Sequence, residues 1–95
     1  MDLYTIRRKS AWADAEELET VAAKSTAEGE KMSDDVRWIR TYVVHEEDGR
    51  LGSVCVYEGT SADALREHAA NTGMPADEVT KVADTVIVRE DPVAA

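Results

Sequence analysis

The order of the patterned stretches constrains this chain more than any motif in it. An apolar run, Leu3-Tyr4-Thr5-Ile6, precedes a helical pattern over 14–28. Two strand-like runs follow, 36–45 and 51–57, joined through Asp48-Gly49. A second helical pattern over 61–71 and a last strand-like run over 80–88 complete the series. The order is β-α-β-β-α-β, the split βαβ or ferredoxin-like arrangement of the α+β class. It predicts a four-stranded antiparallel sheet with two helices on one face.

Ninety-five residues suit one domain, read as 1–90 with a frayed tail at 91–95. A chain of this size buries a little over about 60% of its unfolded surface, enough for one modest core. Twenty acidic against 11 basic residues give a net charge of −9. That argues against a nucleic-acid partner, which needs clustered Lys and Arg, and disfavours an anionic membrane surface. One cysteine, Cys55, forms no intramolecular disulfide and fits a reducing compartment. No apolar run approaches the roughly 20 residues of a membrane span. The first residues begin in a strand pattern with no signal-like segment, so the expected location is cytoplasmic.

The first helical pattern places Ala15, Leu18, Val21, Ala22 and Ser25 on one stripe. Asp14 followed by Glu17 reads as a capping box, and Gly29 as the stop. The second stripe, Ala62, Leu65 and Ala69, is narrower. Gly73 suits the C-terminal cap and Pro75 prevents continuation. Pro75-Ala76-Asp77-Glu78 is expected to open one more short turn.

Strict alternation puts Val36, Trp38, Arg40, Tyr42 and Val44 on one side of the second strand. Ile39 and Val43 then lie on the other, which is read here as the helix side, although alternation equally permits the reverse. Both sides are partly apolar. Two helices cover only one, so the other calls for a second copy packed sheet on sheet, a homodimer of the α+β-barrel type.

Few residues carry chemistry. There is no Gly-rich phosphate loop, nucleophile elbow or CxxC pair. Cys55 lies mid-strand among valines, where a small buried apolar residue is the plain reading. His68 is placed at the edge of the Leu65 stripe, as a core histidine or a proton carrier. His45-Glu46-Glu47-Asp48 gathers metal-type donors at a hairpin end, yet its spacing matches no calcium or zinc motif and fits a solvated acidic turn. Trp38, Tyr42 and Tyr57 are the sheet aromatics, for packing or for a pocket. Met74 joins them from the loop before Pro75, and Arg40 is placed at an interface or on an acidic ligand. The candidate ligand set is therefore Trp38, Tyr42, Cys55, Tyr57, His68 and Met74.

Four segments carry a family resemblance. They are Val36-Arg37-Trp38-Ile39-Arg40-Thr41-Tyr42-Val43, Cys55-Val56-Tyr57-Glu58, Ser61-Ala62-Asp63-Ala64-Leu65-Arg66-Glu67-His68 and Gly73-Met74-Pro75-Ala76-Asp77-Glu78-Val79. Together they resemble a small bacterial family of domains of unknown function, over residues 2–90. That family includes nickel-responsive, nickel-binding ferredoxin-like proteins of actinobacteria. The resemblance implies the ferredoxin-like fold, a dimer and nickel as the cofactor. It also implies a histidine in the first strand and another before the proline. This chain has Thr5-Ile6-Arg7-Arg8 and Met74 there, which argues against nickel.

The expected function is a cytoplasmic homodimer that binds a small molecule or a divalent metal. One alternative is a cofactor-independent oxygenase, isomerase or cyclase of the dimeric α+β-barrel class, with His68 as its protonable group. Another is a ligand-free structural or regulatory dimer. Composition and spacing leave enzyme and binding protein both open.

Overall fold

Six elements follow in the expected order in a computed structural model, which describes residues 1–76 and 78–92. They are β1 (Asp2–Trp12), α1 (Ala15–Lys31), β2 (Val36–His45), β3 (Leu51–Gly59), α2 (Ala62–Thr72) and β4 (Glu78–Lys81). The strands pair antiparallel in the order β2-β3-β1-β4. This is the ferredoxin-like βαββαβ fold, with both helices on one face.

The caps arise where the sequence puts them. Asp14 accepts the Glu17 amide at 3.0 Å and Ser61 accepts the Ala64 amide at 3.1 Å. Gly73 takes the left-handed conformation after α2 (φ 77°), and the Gly73 and Met74 amides reach back to Ala70 and Ala69. Gly29 does not stop α1. The helix runs through it to Lys31, and a Cβ built on Gly29 would meet His68 at 3.6 Å. That glycine thus sits where α1 approaches α2. Pro75 and Ala76 form no helical turn, Glu78 already belongs to β4, and Asp77 lies outside the described residues.

Tyr4, Ile6, Val36, Cys55, Tyr57 and Leu65 form the core between helices and sheet. Their alternation along β1 and β3 leaves Leu3, Thr5, Val54 and Val56 on the open face.

Two strands depart from the alternation. In β2 the register with β3 steps from Trp38↔Tyr57 to Arg40↔Val56, so Ile39 is the extra residue of a β-bulge. The bulge turns Trp38 and Thr41 toward the helices and sends Arg40, Tyr42 and Val44 to the open face. The single row expected from Trp38 through Val44 is therefore split, and Ile39 faces away from the helices. In β1 the register steps from Arg8↔Ser53 to Trp12↔Leu51, with Ser10 in the left-handed region at φ 50°.

The last strand is shorter than the 80–88 expected. β4 runs Glu78–Lys81, and one more bond, from the Val82 amide to the Leu3 carbonyl at 2.8 Å, ends the ladder. The antiparallel register carries β4 toward the start of β1, where no partner backbone remains. Val86, Ile87 and Val88 are 84%, 75% and 84% exposed on an irregular arm over the open face. Among the described residues no helix is long and apolar enough to cross a membrane.

Candidate functional site

The inward row of β1 runs Tyr4, Ile6 and then Arg8. A strand delivers its third inward side chain to the core whether or not it is apolar. Arg8 is 2% exposed. Its Nε donates to the Pro75 carbonyl at 2.7 Å, and Nη1 donates to Cys55 Sγ at 3.3 Å. Nη2 has no hydrogen-bond partner among the described residues.

A cavity of about 30 Å³ lies between α1 and the sheet. Arg8, Trp12, Trp38, Thr41, Cys55, Tyr57 and Met74 line it from below, and Leu18, Val21, Ala22 and Ser25 from α1. Cys55 Sγ also accepts from Thr41 Oγ1 at 3.2 Å, and that hydroxyl accepts from Trp38 Nε1 at 2.7 Å. Cys55 is buried, as a small core residue would be, but its sulfur is the junction of a polar chain from Trp38 to Pro75. Ser25 Oγ, buried on α1, completes no hydrogen bond of ordinary geometry among the described residues. Burial pushes the Tyr57 phenol above its usual range, while the Ser25 hydroxyl and the Arg8 guanidinium beside it oppose that shift.

His68 is a core residue, 2% exposed, not the edge residue expected. Its Nε2 meets the Ser25 carbonyl at 3.1 Å and must donate there, because a carbonyl only accepts. The ring packs against Tyr57 at 5.8 Å, and Tyr57 in turn stacks on Trp38 at 6.1 Å and 7°. Helical periodicity alone put His68 beside Leu65. The close approach at Gly29 brings α1 over it and buries it. A second groove of about 340 Å³, lined by His68, Trp38, Tyr57 and Ser25, opens on the other side of this stack.

The acidic hairpin is a clamp. Glu46 takes Arg7 Nη2 at 2.7 Å and the Ser10 amide at 2.7 Å. Arg50 Nε donates to the Ser10 carbonyl at 2.9 Å, and Asp48 accepts the Arg50 amide. The Arg7 hydrogen bond, then the Ser10 amide, hold the Glu46 carboxyl below the usual carboxylate range. Among the described residues no group of three His, Cys, Asp or Glu side chains gathers closely enough to hold a metal ion.

Of the six candidate ligand residues, the structure brings Trp38, Cys55, Tyr57 and Met74 together on one cavity. It sets His68 behind the aromatic stack and Tyr42 on the opposite face. Arg40 and Tyr42 there hold Asp91 of the arm at 3.1 and 2.6 Å. Sequence reasoning missed Arg8, Trp12, Ser25 and Thr41. The signal for Arg8 was present: it continues the Tyr4-Ile6 row with a charge. Thr41 was hidden by the bulge.

Arg8 and Met74, which stand where the resemblance implied histidines, line the same cavity. The crystal structure of SCO4226 from Streptomyces coelicolor A3(2) superposes with a TM-score of 0.70 at 19% identity, covering 88% of this chain and 99% of that one. No curated protein matches the chain. The model of the nickel responsive protein SCO4226-like family matches residues 4–82, so the chain belongs to that family.

Proposed function

We propose that the chain is a cytoplasmic binding protein that takes a small ligand in the cavity between α1 and the sheet and works as a homodimer through the open sheet face. The observation that carries this reading is the cavity beneath α1, which gathers Trp12, Trp38, Cys55, Tyr57 and Met74 on one side and the apolar stripe of α1 on the other. A small molecule is favoured over nickel, although nickel response is what the family's description names. A guanidinium repels a divalent cation, and Met74 offers only a soft thioether. The enzyme reading relied on His68, whose ring is engaged by the Ser25 carbonyl and Tyr57. Dimerisation is supported by Ile39 and Tyr42 on the open face, each more than 40% exposed, and by the exposed arm residues 86–88. A native mass spectrum of untagged protein, with a thermal-shift screen across metals, acids and neutral compounds, tests both parts. Twice the chain mass and at least one stabilising small molecule are expected. A monomer that no compound stabilises overturns the reading.

A further inference from the structure

The run Asp84-Thr85-Val86-Ile87-Val88 has the composition of a strand but forms none in its own chain. β4 ends at Lys81, and the Val82 amide makes the last bond, to the Leu3 carbonyl at 2.8 Å. β1 begins at Asp2, so its backbone runs out there. Every residue over 83–92 is exposed, Val86 and Val88 at 84% and Ile87 at 75%. A groove of about 950 Å³ lies between this arm and the open face. The arm therefore neither extends its own sheet nor buries its β-branched run against it. The match to the family covers 4–82 and leaves this run outside.

The edge that suits it is β2. The order β2-β3-β1-β4 makes β2 an outer strand, and among the described residues it pairs only with β3. Its ten residues present a row of backbone groups on the outer side. The other outer strand, β4, has only four. Charge separates the two edges further. β2 carries Arg37 and Arg40 and no acid, in a chain of net charge −9. The arm carries Asp84, Glu90 and Asp91 against Arg89, and Asp91 accepts from Arg40 at 3.1 Å. The arm does not lie along its own β2 edge. It leaves from β4, at the far side of the sheet, and meets β2 only at Asp91 after crossing the open face. A ladder needs the two strands side by side. A second copy supplies that arrangement. Two sheets packed face to face about a two-fold axis along the strands set the β4 edge of each beside the β2 edge of the other. Three antiparallel steps separate β4 from β2, so the two run in opposite directions and the new pairing is antiparallel.

We propose that residues 84–88 of each copy add as an antiparallel strand to the β2 edge of a second copy of this chain, so that two exchanged arms close the dimer. The inference rests on the open-face dimer and names the segment and the edge that hold it together.

Amide hydrogen exchange on the full chain, with light scattering on the same samples across a dilution series, tests this. In the dimer, amides over 84–88 should exchange at least about tenfold more slowly than in free peptide, and in the monomer at the free-peptide rate. Val86→Pro and Ile87→Pro, made one at a time, each remove one amide donor. Successive amides point to opposite sides of a strand, so one of the two lies in the ladder whatever the register. That variant should raise the dimer dissociation constant at least about tenfold, because both arms of the symmetric pair lose a bond. Both side chains are exposed, so neither variant should move the urea midpoint of the dilute protein. A dimer with free-peptide exchange over 84–88, or one that neither substitution weakens, overturns the exchanged arm and leaves the open-face dimer standing. Slow exchange over 84–88 in samples that scatter as monomer places the arm on its own chain and overturns the proposal in the same way. A monomer at every concentration overturns both.

Discussion

Alternation along β1 sends Arg7 and Arg8 to opposite faces of the sheet, and the two faces treat the same side chain differently. On the open face Arg7 finds Glu46, which also accepts the Ser10 amide and so fastens the β1 bulge to the β2–β3 hairpin. On the helix face Arg8 finds a carbonyl, a sulfur and a cavity. The open face is built from interactions that a folded monomer completes by itself and from apolar surface that it leaves uncovered. The helix face buries the core around Tyr4, Ile6, Tyr57 and Leu65 and encloses the cavity beside Arg8 and Cys55. The difference is the ground for proposing assembly on one side of the sheet and ligand chemistry on the other.

The strongest way to break that contrast is truncation on each side. Leu65 is fully buried between α2 and the sheet. Leu65→Ala should cost about 3 kcal/mol in urea unfolding, the cavity-forming range. Val56 faces the groove under the arm and is only half-buried. Val56→Ala should cost about 1 kcal/mol or less at low protein concentration. If a second copy covers this face, the Val56→Ala cost grows with protein concentration. Equal, concentration-independent costs would show that the faces are energetically alike.

The next effect has the opposite sign. Arg8→Met should raise stability by about 1–3 kcal/mol, because it keeps the volume and removes a buried charge that has no carboxylate among the described residues. Arg7→Met should lower it, since Glu46 would lose its counter-charge and Ser10 part of its clamp. A stability loss from Arg8→Met would mean that the guanidinium is compensated after all.

The fold was legible because each element carried its own period and cap. Asp14, Ser61 and Gly73 act where local chemistry places them, with no reference to the rest of the chain. What failed depended on pairing. Ile39 is inserted as a bulge only because β3 supplies one fewer residue opposite it, and no alternation within β2 encodes that. β4 stops at Lys81 because β1 offers no more backbone, although Val86-Ile87-Val88 has ample strand propensity. His68 is buried because α1 closes over it at Gly29. The site was half legible for the same reason. Trp38, Cys55, Tyr57 and Met74 are chemically conspicuous one at a time, whereas Arg8 and Ser25 gain meaning only from where the fold buries them.

Titration gives a smaller contrast between the faces. On the open face the Glu46 carboxyl is held below its ordinary value, first by Arg7 and then by the Ser10 amide. Its contribution is present above the unfolded carboxylate pKa and is lost as pH falls through the lower folded value. Glu46→Gln should flatten the acid limb of the stability curve. On the helix face burial raises the Tyr57 phenol. Stability should hold below about pH 10, the unfolded phenol value, and fall as pH rises through the folded value. Tyr57→Phe should flatten that alkaline limb and leave the acid one unchanged. Loss of both limbs in one variant would show that the faces are coupled through β1.

The smallest effect belongs to the arm. Asp91 accepts from Arg40 at 3.1 Å and from Tyr42 at 2.6 Å, but the side chains of Arg40 and Asp91 are 53% and 52% exposed. Exposed ion pairs gain little, because water screens them and ordering two long side chains opposes them. Asp91→Asn should therefore leave the urea midpoint of the dilute protein unchanged within error. What it should change is the arm's position, since this contact ties the far end of residues 82–91 to the open face. Faster protease cleavage within that segment, at an unaltered midpoint, would separate the arm from the folded core. A clear drop in the midpoint would instead make the arm a structural layer of the monomer, and the open face would then have less room for a second copy.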